Sequence, residues 1–177
     1  TNSCDLMTLL CLILAGGDSH RMGQDKALLY DSVNNLLRSL EDKGCRVVVA
    51  CGSQERSVLF SGTSWPDPIE AESLADVIRM FATEYDEEIQ LFPCDMYRLD
   101  DYAINVILSQ PPGIPIDAEG REQFTLTRIP RNNEFSLATS LNELFANLDR
   151  NDMQSLEGRL ENFNLPEQID DLNKSNQ

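Results

Sequence analysis

The stretch Leu12-Ile13-Leu14-Ala15-Gly16-Gly17-Asp18-Ser19-His20-Arg21-Met22-Gly23-Gln24-Asp25-Lys26 places a loop with three glycines between an apolar run and an amphipathic pattern. The apolar run, residues 6–15, shows no polar alternation, as expected of a strand buried on both faces by helices, and hence of a parallel sheet. Glycines let backbone approach a ligand and take positive φ, successive amides at a helix start offer donors to an anion, and Arg21 and Lys26 add charge. The loop therefore reads as a phosphate cradle leaving the carboxyl end of a parallel strand, where ligands bind in open α/β sheets. The same residues also read as a plain glycine-rich turn with solvated charges. The pattern is neither a Walker A loop nor G-x-G-x-x-G.

Working outward, further strand-like runs lie at 45–51 and 89–93, and helical patterns at about 26–43 (Leu28, Leu29, Val33, Leu36, Leu37, Leu40), 72–84 and 99–109. Gly113 to Ala118 and Gln123 to Ile129 read as a hairpin around Glu119-Gly120, followed by helices near 134–148 and 152–161. The order predicts an α/β fold: a Rossmann-like, doubly wound, mostly parallel sheet with helices on both faces and one late antiparallel element. Residues 1–172 form a single expected domain and 173–177 a polar tail. A chain of 177 residues fits one domain that buries roughly 70% of its unfolded surface.

The net charge of -16 repels polyanions, and the fourteen basic residues form no block suited to a nucleic-acid backbone, so DNA and RNA are excluded as main ligands. A small phosphorylated ligand remains compatible, because local donors and a divalent cation act within a field screened over about 8 Å. Five cysteines without a C-x-x-C pair suggest neither a disulfide framework nor structural zinc, and fit reduced thiols in a cytoplasm. The run Leu6 to Ala15 follows Asp5 rather than a basic segment and is half a membrane span, so a soluble protein without a membrane partner is expected.

The full string closely resembles the L-A-G-G-x-S-x-R-M-G-x-D-K signature of the molybdenum cofactor guanylyltransferases and their nucleotidyltransferase relatives. Phe92-Pro93-Cys94-Asp95-Met96 resembles the family's P-C-D-M segment, and Asn162-Phe163-Asn164-Leu165-Pro166-Glu167 is similar to its closing N-x-N-T-P-E, with Leu165 where threonine is usual. Order and approximate spacing agree over nearly the whole chain. The resemblance implies a nucleotide-diphospho-sugar transferase-like fold and an in-line transfer. A terminal phosphate oxygen of molybdopterin attacks the α-phosphorus of GTP, and pyrophosphate leaves.

On that resemblance, Arg21 and Lys26 serve the triphosphate, Asp95 holds Mg²⁺, and the backbone of Leu14, Ala15, Gly16 and Gly17 cradles the nucleotide. Read alone, Asp95 fits a cap of the next helix equally well. Cys94 reads as a small packing residue, and His20 as a solvated loop residue. Asp67 falls at the family's guanine-contacting aspartate, although Trp65-Pro66-Asp67-Pro68 is equally readable as a turn. GTP and molybdopterin are the implied ligands, and other cofactor-maturation proteins the implied partners.

The chain also departs from the family. Glu72-Ser73-Leu74-Ala75-Asp76 replaces G-P-L-A-G, losing both glycines and adding two negative charges, so that Asp76→Gly is expected to tighten nucleotide binding if the segment faces the ligand. The polar residue usual after the second strand is replaced around Ala50 to Gly52. Two alternatives therefore stand: a sister enzyme using CTP or another phosphorylated acceptor, and a non-catalytic binding or maturation protein of the same fold.

Overall fold

A computed structural model describes residues 9–17 and 25–161. Four parallel strands, β1 (Leu10–Leu14), β2 (Arg46–Gly52), β3 (Thr63–Pro66) and β4 (Ile89–Pro93), lie in the order β3-β2-β1-β4, and β6 (Arg128–Ile129) adds antiparallel to β4. Leu14 pairs with Ala50 on one side and with Pro93 on the other, so the carboxyl ends of β1, β2 and β4 are level. The chain passes from β1 to β2 on one side and later places β4 on the opposite side. The β1/β4 boundary is thus the topological switch point, where loops diverge and leave a crevice.

Side chains along β1 alternate between two apolar layers, as strand geometry requires. Cys11 and Ile13 pack with Val33, Leu37 and Leu40 of α1 (Ser32–Asp42) and with Ile104 and Ile107 of α3 (Asp101–Leu108). Leu10, Leu12 and Leu14 pack on the other face with Ala75, Ile78 and Phe81 of α2 (Leu74–Tyr85) and with Leu144 of α4 (Leu141–Leu144). The Val33, Leu37, Leu40 spacing gives α1 one apolar stripe. Side-chain caps start the later helices: Ser73 accepts from Asp76 N, Asp100 from Ala103 N, and Ser140 from Glu143 N.

Helices on both faces and one antiparallel strand agree with the expected architecture; several boundaries do not. The helix expected over 26–43 starts at Ser32, after a 3-10 turn over Leu29–Asp31. β3 is not among the expected strands, because a four-residue edge strand ending in proline carries little pattern, and its last two residues, Trp65 and Pro66, open the segment that also reads as a turn. The expected hairpin forms around Gly120, whose N–H donates to Asp117 O at 3.0 Å: Asp117 N donates to Arg121 O at 3.0 Å, Gln123 N to Pro115 O at 2.8 Å, and Gly113 and Arg128 exchange both backbone bonds. β5 (Ile114–Ile116) runs parallel to β7 (Arg150–Asp152) in a separate small sheet, while β6 joins β4.

The helix expected over 134–148 shortens to α4, and the one over 152–161 is a 3-10 stretch, Gln154–Leu160, broken by Glu157 at φ 48. Among the described residues no helix is long and apolar enough to cross a membrane.

Candidate active site

Two of the predicted residues meet at the switch point. Lys26 Nζ donates to Asp95 Oδ2 at 3.4 Å, bringing together positions 69 residues apart, with both side chains mostly buried. Asp95 does not cap a helix, since Asp100 performs that task for α3. Lys26 is fixed at its backbone as well: Tyr97 Oη donates to Lys26 O at 2.9 Å. The loops following β1 and β4 are therefore tied together from two sides.

A second clamp, which sequence reading missed, centres on Arg56 in the 3-10 turn Gln54–Leu59. Its Nε donates to Cys51 O at 2.8 Å, its Nη2 to Ala15 O at 2.7 Å, and its Nη1 pairs with Asp25 Oδ2. Asp25 Oδ1 also accepts from Ala27 N at 3.0 Å, which shapes the turn carrying Lys26. One guanidinium thus holds the ends of β1 and β2 and the lysine turn. Its planar fork of donors suits three acceptors in a way an ammonium would not. Asp25 is visible within the quoted signature, but nothing in the Gln54-Glu55-Arg56 run signals that Arg56 turns inward.

Glycine at position 16 has a packing cause: a Cβ there would lie 2.9 Å from Gly52 Cα. The loops after β1 and β2 touch backbone to backbone, and Gly52, at φ 88, takes the left-handed turn that permits it. Ala15 N donates to Ala50 O at 2.9 Å and Ala15 O accepts from Arg56, so this peptide holds the loop in place. Leu14, Gly16 and Gly17 face a pocket of about 350 Å³.

Asp67, Glu72, Ser73 and Leu74 complete the walls of that pocket. Asp67 follows β3 directly and its N–H donates to Gly52 O at 2.7 Å. Partial desolvation pushes its carboxyl above the ordinary carboxylate range. Glu72 brings a second acidic side chain to the same wall. Asp76 instead turns into the helix cap: its carboxylate accepts from Glu72 N at 3.0 Å and from Arg79 Nη2 at 3.2 Å.

A second cavity of about 300 Å³ opens on the opposite face of the sheet, between α1 and α3 and beside the loop that carries Asp95. Cys94 lies on its wall, where burial raises the thiol to about 12 and makes it a poor nucleophile near neutral pH.

The structure therefore gathers Leu14, Ala15, Gly16, Gly17, Lys26, Asp67 and Asp95 at one sheet edge. Arg21, His20 and the Asn162 to Glu167 segment lie outside the described residues. Asp95 offers a hard oxygen ligand, and among the described residues no group of three or more His, Cys, Asp or Glu gathers into a metal cage. That donor set fits Mg²⁺, which one or two carboxylates commonly hold jointly with substrate phosphates and water.

Comparison with solved structures finds the crystal structure of a protein from Aquifex aeolicus VF5 (Aq1419), with a TM-score of 0.66 at 15% identity. The match covers 88% of this chain and 92% of that one, and shows that the two share an α/β fold. No curated protein matches the chain at a significant level. The family model for the MobA-like NTP transferase domain matches residues 11–128, from β1 through β6, and so spans the glycine loop, Lys26, Arg56, Asp67 and Asp95. The chain belongs to the MobA-like NTP transferase domain family.

Proposed function

We propose that this protein is a Mg²⁺-dependent guanylyltransferase of molybdenum cofactor maturation, joining GMP from GTP to the terminal phosphate of molybdopterin and releasing pyrophosphate. The observation that carries this reading is the meeting of Lys26 and Asp95 at 3.4 Å beside the glycine loop, at the switch point of the sheet. In-line phosphoryl chemistry needs charge stabilisation and positioning more than covalent participation.

Lys26, joined by Arg21, binds the triphosphate and stabilises charge gathering on the pyrophosphate. Asp95 would hold Mg²⁺, which when bound would supply neutralisation of the phosphate charge. Gly16 and Gly17 let the nucleotide approach the backbone. Asp67 accepts hydrogen bonds from the guanine edge, whose adjacent N–H groups match a carboxylate. Arg56 and Tyr97 hold the two loops that carry Lys26 and Asp95. The acceptor phosphate is ionised near neutral pH and needs no strong general base. A cytoplasmic location fits the free thiols of Cys11, Cys45, Cys51 and Cys94.

The test is pyrophosphate release from GTP in the presence of molybdopterin and Mg²⁺, with CTP and ATP as competitors. Release that needs both molybdopterin and Mg²⁺ and prefers GTP supports the reading, and none with any nucleotide refutes it. Glu72 on the pocket wall favours a second reading, a sister nucleotidyltransferase that uses CTP or a different phosphorylated acceptor. Preference for CTP in the same assay would establish it.

A further inference from the structure

Lys26 and Asp95 meet through their side chains, and the chain segments that carry them are joined by hydroxyls. Tyr97, two residues beyond Asp95, donates its phenol hydrogen to Lys26 O at 2.9 Å. Ser32 Oγ, at the start of α1, lies 3.4 Å from Lys26 O, 3.4 Å from Cys94 O and 3.5 Å from Ala27 O. Its single hydrogen serves one of these carbonyls at a time, so the shorter Tyr97 bond carries most of the link.

The surroundings fix both hydroxyls. Tyr30 and Asp31, consecutive non-glycine residues at φ 54, turn the chain sharply ahead of α1, and Ser32 faces back onto the Lys26 and Ala27 carbonyls. Left-handed backbone is costly for such residues and persists where the surrounding structure over-determines it. The Tyr30 ring stands edge-on to Tyr97, with centroids 5.9 Å apart, and buttresses the phenol. Burial, with Cys94 and Asp95 nearby, pushes that phenol well above its ordinary value, so it stays a donor near neutral pH. Lysine's flexible four-carbon stem does not place its ammonium unaided, and anchoring its peptide limits where Nζ can stand.

We infer that Tyr97 is a positioning residue that acts through Lys26: its hydroxyl, backed by Ser32, sets where the ammonium stands relative to Asp95. The consequence falls on the rate of transfer more than on nucleotide affinity, because charge gathering on the leaving pyrophosphate rewards a fixed cation more than the bound ground state does. That consequence rests on the nucleotidyltransferase reading proposed above, whereas the anchoring of Lys26 does not.

Tyr97→Phe keeps the ring and its contact with Tyr30 and deletes only the hydroxyl; adding Ser32→Ala removes the remaining link. The first readout is acetylation of Lys26 by acetic anhydride in the full chain, followed by peptide mass spectrometry and referred to Lys43, which pairs with Asp101 at the far end of α1. Lys26 should react about fivefold faster relative to Lys43 in Tyr97→Phe, the scale of one hydrogen bond's net worth, and at least as fast in the double variant. An unchanged ratio in both variants overturns the inference. The second readout is transfer kinetics: kcat should fall about tenfold with KM for GTP within about twofold. Tyr97→Phe added to Lys26→Ala should cost less than about twofold more, and equal losses in the two backgrounds would show that Tyr97 does not act through Lys26. Faster acetylation in the variants with no transfer from any nucleotide by the unaltered chain would refute the nucleotidyltransferase reading and leave the anchoring in place. Transfer by the unaltered chain with unchanged acetylation in the variants would do the reverse.

Discussion

The Lys26 ammonium and the Asp95 carboxylate lie 3.4 Å apart although they leave different strands. No periodic apolar pattern requires either residue at its position, and the pair joins two loops rather than elements of the apolar core. Its placement beside the glycine loop is the main structural reason to read the edge as a phosphate-handling centre.

Lys26→Ala and Asp95→Ala should each lower kcat/KM for nucleotidyl transfer by at least 10²-fold, the scale seen when one stabilising group is removed from a charge-developing centre. Both melting temperatures should stay within a few degrees of the unaltered protein, because neither residue belongs to the core. Pyrophosphate-release kinetics and circular dichroism melts check the two halves of the statement. Near-normal turnover in either variant would remove that residue from the site.

Arg56→Met should destabilise the fold by about 2–4 kcal/mol, since it leaves Asp25 without its partner and two carbonyls without a donor. Urea unfolding measures the loss. The double variant Arg56→Met with Asp25→Asn should recover at least about 1 kcal/mol of it, because the two residues belong to one network. Strict additivity would show that the clamp is not cooperative.

The two acids added to the family-like segment have different consequences. Asp76→Gly removes a carboxylate that caps α2 and introduces glycine in its first turn, so a loss of about 1–2 kcal/mol is expected, with little direct effect in the pocket. Glu72→Gly removes charge from the pocket wall and should tighten GTP binding several-fold. Calorimetry on the two variants separates these effects, and tighter binding in Asp76→Gly alone would reverse the assignment.

Asp117 should contribute to the pH dependence of stability in acid. This buried carboxylate is penalised by desolvation, yet hydrogen bonds from Arg121 N at 2.9 Å, Gln123 Nε2 at 2.7 Å and Arg121 Nε at 3.0 Å outweigh that and hold its pKa below the ordinary carboxylate value. Because the folded pKa lies below the unfolded one, the stabilisation is present above about pH 4 and fades as pH falls through the folded value. Asp117→Asn should cost about 2 kcal/mol at pH 7 and progressively less below pH 4. Urea midpoints across pH check it, and a pH-independent difference would contradict it.

Much of the nucleotide side of the molecule is legible in sequence because its signals are local. The apolar runs of β1 and β2 carry no polar alternation, as strands covered on both faces require, and Asp95 closely follows the end of β4. What was not legible depends on contacts across the fold. Arg56 acts through acceptors 5, 31 and 41 residues away, none of which marks it in the chain. The pairing of Ile114–Ile116 with Arg150–Asp152 leaps over the local hairpin around Gly120, whose own arms do meet, and no local pattern marks Arg150–Asp152 as a strand. Asp76 and Glu72 look alike in sequence, and only the cap of α2 shows that one turns to the backbone and the other to the pocket.

The most direct test of the central claim is calorimetric titration of the purified chain with GTP, then CTP and ATP, with and without Mg²⁺. The site described here predicts saturable binding that requires Mg²⁺, prefers GTP and is lost in Asp95→Ala. Absence of binding by any nucleotide, with or without Mg²⁺, would contradict it and leave a non-catalytic binding protein of the same fold.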